Sequence, residues 1–99
     1  MIEQSVIQKC LEQWGEDAQL DMVIEEMAEL TKAILKYRRT KGAKSARIDI
    51  AEEHADVLLM LEQLTYMMVQ YDTNYKKLMR VFSKDKISRL KDRLEKWIK

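Results

Sequence analysis

The sequence predicts an all-α protein, four-helix-bundle-like in its organisation. Three observations carry this. The 99 residues contain no proline and only two glycines, Gly15 and Gly42, so very little interrupts a helix. Apolar residues recur at alternating steps of three and four over long stretches, which is the period of a helix face. The chain is 46% hydrophobic and 35% charged, the mixture of a soluble helical protein rather than of a sheet or a disordered tail. Its length suits one domain over residues 1–99, with a core that needs no staples.

Each element can be justified in turn. A first helix is expected from Ile2 to Trp14, with Ile2, Val6, Cys10 and Trp14 on one stripe and Gly15 ending it. Asp17 is a natural cap for the second helix. That helix carries Leu20, Val23, Met27, Leu30, Ile34 and Tyr37 as its core stripe, with Glu26 and Glu29 on the flank. The segment from Arg38 to Ala46, containing Gly42, reads as a loop. The third helix is expected from about Ile48 to Tyr71. Its second half, residues 57–61 and 64–69, is apolar around most of the circumference and needs cover on every side. A chain this short cannot supply that cover alone, so a homo-oligomer, a dimer or a tetramer, is expected. Asp72, Thr73 and Asn74 form a turn or cap. A last helix follows from Tyr75 to Lys99, with a candidate break near Ser83 and a stripe of Ile87, Leu90, Leu94, Trp97 and Ile98.

Several classes are set aside. The single cysteine, Cys10, cannot form an internal disulfide and fits a reducing, cytoplasmic compartment. The longest apolar candidate for a membrane span, residues 57–69, is broken by Glu62, Gln63 and Thr65. Residues 1–13 are mixed polar, without the apolar segment of a secretory leader. Neither a membrane nor a nucleic-acid partner is expected.

The net charge of +1 conceals a segregation. Between Lys9 and Lys32 stand seven acids and no base; between Arg47 and Lys76 stand six acids and neither Lys nor Arg. The bases gather in residues 32–47 and 76–99. Solvated faces of opposite sign would explain charge runs in general. Here Glu25, Glu26, Glu52 and Asp56 lack basic partners one turn on, which leaves them free for a ligand. Glu26 and Glu29 are i,i+3 neighbours, as are Glu53 and Asp56, so each pair projects from one side of its helix. Oxygen-only clusters of this kind suit Mg²⁺, with Mn²⁺ as a substitute. A di-iron bundle would need Glu-x-x-His, and the residue three before His54 is Ala51. Packing or hydrogen bonding near the site is the better reading of His54 than ligation. Met27, Met60, Met67 and Met68 read as core filling.

Read together, Glu25-Glu26-x-x-Glu29, a spacer of twenty-three residues and Glu53-x-x-Asp56 make one pattern. It resembles the signature of the MazG-like, all-α nucleoside triphosphate pyrophosphohydrolases, E-E-x-x-E followed by E-x-x-D. Gln19 ahead of the motif, Leu30 behind it and the apolar run after Asp56 agree, and the likeness covers about residues 14–69. The resemblance implies that Glu26, Glu29, Glu53 and Asp56 bind Mg²⁺, and that Glu25 is a further ligand or the base that orients the attacking water. It implies hydrolysis of a nucleoside triphosphate to monophosphate and pyrophosphate. Gln19 and Trp14 would contact substrate, Trp14 by stacking on the base or else by simple packing. Lys86 and Arg89, on the basic last helix, would hold the phosphate tail. The competing expectation is a non-catalytic, dimeric helical module whose basic C-terminal helix contacts nucleic acid or an acidic partner.

Overall fold

In the computed structural model, which describes residues 2–98, four α-helices follow one another: α1 (Gln4–Trp14), α2 (Glu16–Arg39), α3 (Lys44–Tyr71) and α4 (Tyr75–Ile98). No strand occurs among the described residues. By compactness the chain divides into two units, Met1–Met67 and Met68–Lys99, the division falling inside α3. No helix among the described residues is long and apolar enough to cross a membrane.

The first unit holds the core: Ile7, Val23, Ala33, Ala46, Val57, Met60 and Met67, with Gln19 and Gln63 as its buried polar members. On α2 the inward face is Gln19, Val23, Glu26, Leu30 and Ala33, in steps of four, three, four and three. This is the expected stripe rotated by about one residue. Met27 and Ile34 remain 51% and 43% exposed, whereas Glu26 and Ala33 turn inward. Hydrophobicity alone favours Met27 and Ile34. The buried face instead carries Ala33 and the half-buried Glu26, and the larger Met27 and Ile34 fall to its flank. On α3 the matching face is Ala46, Asp49, Glu53, Asp56, Met60, Gln63 and Met67, an unbroken alternation of threes and fours. Lys36 Nζ of α2 meets Asp49 Oδ2 of α3 at 2.8 Å. Glu26, earlier in α2, meets Glu53 and Asp56, later in α3, so the two helices run antiparallel.

Other boundaries move for local reasons. Ile2 lies outside α1, its N–H donating to Glu62 Oε2 at 3.1 Å. The buried residue of α1 is Ile7, with Cys10 and Leu11 half-buried beside it, while Val6 is exposed. Asp17 is not the cap of α2; that helix starts one residue earlier, at Glu16, and Glu16 and Asp17 stand in its first turn, where their charge favours the helix N-terminus. Gly15 alone joins α1 to α2, at φ 86° and ψ 162°, its N–H closing α1 onto the Leu11 carbonyl at 2.8 Å. A Cβ at this position would meet nothing within 4 Å, so the backbone angles and not lack of room require glycine.

The loop expected over residues 38–46 contracts to residues 40–43. Lys36, Arg38 and Arg39 suit the negative end of α2 and carry the helix onward. The chain then stops in a Schellman arrangement: Gly42 N–H donates to the Tyr37 carbonyl at 3.0 Å and Lys41 N–H to the Arg38 carbonyl at 3.4 Å. Lys41 takes the left-handed position there, at φ 54°. The Ala43 carbonyl already accepts the Arg47 N–H at 3.1 Å, so α3 begins a full turn before Ile48.

The second unit comprises the end of α3, a turn and α4. The turn is as expected: Asn74 N–H donates to Asp72 Oδ1 at 2.9 Å and Tyr75 N–H to the Asp72 carbonyl at 3.0 Å. The candidate break at Ser83 does not occur; no proline or glycine lies within α4 and serine alone is too weak a breaker. None of the described residues of α4 is buried.

The backbone angles at the two turns give a test. Lys41→Gly is expected to stabilise the protein by roughly 0.5–1 kcal/mol, because glycine removes the left-handed penalty. Gly15→Ala is expected to destabilise it by roughly 1–3 kcal/mol. Urea unfolding of both variants checks this; equal midpoints for the two would contradict the turn geometry.

Candidate metal centre

The antiparallel pairing of α2 and α3 brings the two halves of the acidic pattern together. One carboxylate oxygen from each of Glu26, Glu53 and Asp56 lies within 4.8 Å of the other two, and all three side chains are half-buried. Glu53 and Asp56 project from adjacent turns of α3, and Glu26 faces them because it sits on the inward stripe of α2. That position follows from the rotation described above. A flank position would have left Glu26 at the rim.

The electrostatics are those of crowded like charges. Glu26 is held above the ordinary carboxylate range, first by loss of hydration and then by Asp56, Glu53, Glu25 and Glu29. Glu53 is raised too, again first by loss of hydration, then by Asp56, Glu29, Glu52 and Asp49. The Lys36–Asp49 ion pair between these helices engages none of the three. Three carboxylate oxygens with no nitrogen or sulfur donor among them match the donor set of Mg²⁺ or Mn²⁺. A divalent cation held among them would compensate the lost hydration and the mutual repulsion that together raise Glu26 and Glu53.

The remaining expected residues are distributed as follows. Glu29 is exposed at the edge of the cluster, near enough to act on both Glu26 and Glu53. Glu25 and Glu52 are exposed beside it. Gln19 is buried on the α2 face seven residues before Glu26. Trp14 is 62% exposed at the end of α1, on a shallow groove shared with Val6, Lys9, Cys10 and Gln13. His54 is exposed, neither packed nor in the cluster, because it follows Glu53 by one residue and so points about 100° away. Of the methionines, Met60 and Met67 fill the core and Met27 does not. Lys86 and Arg89 belong to the second unit and are exposed there; Arg89 Nη2 pairs with Asp85 Oδ2 at 3.0 Å.

Sequence reasoning assigned no role to Lys32, Lys36, Arg39 or Asp49, which border a groove against the cluster. Their signal was present as spacing: Lys32, Lys36 and Arg39 continue at i+3, i+7 and i+10 from Glu29. Comparison with family models, with curated proteins and with solved structures gives no match for this chain.

A pH dependence follows from the raised carboxyls. Glu26 and Glu53 titrate above their unfolded values, so within that window the native state binds more protons than the unfolded chain. Stability of the metal-free protein therefore falls as pH rises through the window and is recovered on acidification. As the pH is lowered from neutrality into the carboxylate range, the thermal stability of the wild type is expected to gain on that of Glu26→Gln/Glu53→Gln. Parallel curves would show that these carboxyls are not coupled in the fold.

Proposed function

We propose that the protein is a Mg²⁺-dependent nucleoside triphosphate pyrophosphohydrolase that works as a homo-oligomer. The observation that carries this reading is the meeting of Glu26 from one half of the acidic pattern with Glu53 and Asp56 from the other. Twenty-six residues stand between Glu26 and Glu53, and nothing in local helix geometry alone would bring the halves together. The resemblance of the pattern to the MazG-like signature supports the same reading.

In this mechanism Glu26, Glu53 and Asp56 would hold the ion, and Glu29 at the rim would complete the set. When bound, Mg²⁺ supplies positive field to the phosphate oxygens and makes a nearby water more acidic. Glu25, exposed next to Glu26, orients the attacking water and accepts its proton. The water oxygen bonds to the α-phosphorus, the bond from that phosphorus to the α–β bridging oxygen breaks, and pyrophosphate departs with the bridging electron pair. Trp14 offers an exposed ring on which a base could stack, and the buried Gln19 serves the helix interface.

Oligomerisation is supported by apolar side chains that the chain leaves bare. Met22, Ile24, Met27, Ile34 and Leu35 on α2 and Leu58, Leu59 and Leu61 on α3 are all exposed. An obligate interface between copies would cover such faces. The competing reading, a non-catalytic dimeric module, draws on α4, whose apolar and basic residues are exposed alike.

Product analysis and metal binding separate the two. Addition of Mg²⁺ or Mn²⁺ is expected to raise the melting temperature, since a ligand of the native state alone stabilises it. Glu26→Gln, Glu53→Gln and Asp56→Asn are each expected to lower turnover by about a hundredfold or more, with the fold retained. By ³¹P NMR the first products are expected to be monophosphate and pyrophosphate; diphosphate and orthophosphate would overturn the assignment of the bond. Light scattering at micromolar concentration is expected to exceed the mass of one 11.8 kDa chain; a monomer would remove the oligomer.

A further inference from the structure

Beside the three carboxylates, α2 and α3 enclose a groove of about 210 Å³. Glu29, Lys32, Lys36 and Arg39 border it on α2, Asp49 and Glu53 on α3, and Ala33 leaves it open between them. Lys32, Lys36 and Arg39 share one face of α2 at i, i+4 and i+7. Stabilising the C-terminal end of α2 accounts for bases in its last turn, but not for Lys32, which lies nearly two turns from that end.

We infer that this groove binds the β- and γ-phosphates of the substrate, and hence the leaving pyrophosphate, through Lys32, Lys36 and Arg39. The inference rests on the reading of the protein as a pyrophosphohydrolase and moves the anion site from α4 to α2. Charge decides it. Three bases face three acids, so the groove alone is balanced and holds no anion tightly. Asp49 is committed to Lys36 at 2.8 Å, which fixes that ammonium across the groove. Glu29 and Glu53 are the two acids at the metal end. When they are engaged by a divalent cation, Lys32 and Arg39, neither of them in an ion pair among the described residues, are left as uncompensated positive charge. The anion site is then assembled by metal binding and lies next to it. By contrast, Arg89 already has an acid one turn away.

Magnesium alone and inorganic pyrophosphate with magnesium are the probes, followed by titration calorimetry on the full chain. The wild type is expected to bind pyrophosphate only with Mg²⁺ present. Lys32→Gln/Arg39→Gln is expected to weaken pyrophosphate at least about tenfold while Mg²⁺ affinity and the unfolding midpoint stay near wild type. Lys86→Gln/Arg89→Gln is expected to leave pyrophosphate binding unchanged. If Mg²⁺ binds and the Lys32/Arg39 variant still holds pyrophosphate as the wild type does, the groove assignment is overturned and the metal centre stands. The groove is equally excluded if the α4 variant is the one that loses pyrophosphate. If the wild type binds no Mg²⁺, the pyrophosphohydrolase reading falls and takes the groove with it.

Discussion

The constraint on which the first unit turns is the crowding of Glu26, Glu53 and Asp56 at the α2–α3 interface. A helical pair buries its inward stripes because apolar area leaves water, and three carboxylates in those stripes work against this. The interface tolerates them because they are half-buried rather than sealed, and because the apolar layers on either side, Val23 and Met60 among them, are well covered. Local sequence offers no internal neutralisation: the Lys36–Asp49 pair that bridges these helices lies outside the cluster. The arrangement gives up some cohesion of the helix pair for a concentrated negative field at a fixed point.

Much of this was legible in the sequence, and the failures share a cause. Helix existence and order followed from the lack of proline and the apolar period, and the turn at Asp72 from its side chain. The acidic halves were legible as separate i,i+3 pairs. Their meeting was not, since it depends on which face of α2 turns inward. Ranking side chains by hydrophobicity favours Met27 and Ile34, while the face that packs carries Ala33 and, with it, Glu26. The placement of Lys32 and Lys36 was hidden for a similar reason. In one dimension they are part of a basic run, and only the partner helix shows that Asp49 and Glu53 border the same groove.

Boundaries were hidden by the brevity of the connections. Gly15 is a one-residue hinge between two helices, and residues 40–43 turn the chain with two hydrogen bonds and a left-handed lysine. Such turns leave almost no compositional trace. Gly42 is the clearer of the two signals, and even it sits beside a lysine that bears the less favourable angle.

Gln63 puts a polar side chain into the buried stripe of α3. It is buried on the α3 face seven residues after Asp56, as Gln19 is seven residues before Glu26. Among the described residues its Nε2 reaches only the Met60 sulfur, at 3.5 Å, and its Oε1 has no partner. Leucine there would bury more comfortably, yet two helices with uniform apolar stripes can slide past one another by a heptad with little loss. An amide in the stripe makes such sliding unfavourable wherever it would be pressed against purely apolar layers. In the native register that cost is already present at Gln63, whose oxygen is unpaired, so the two glutamines interrupt the apolar stripes one heptad from the acids at some expense in cohesion.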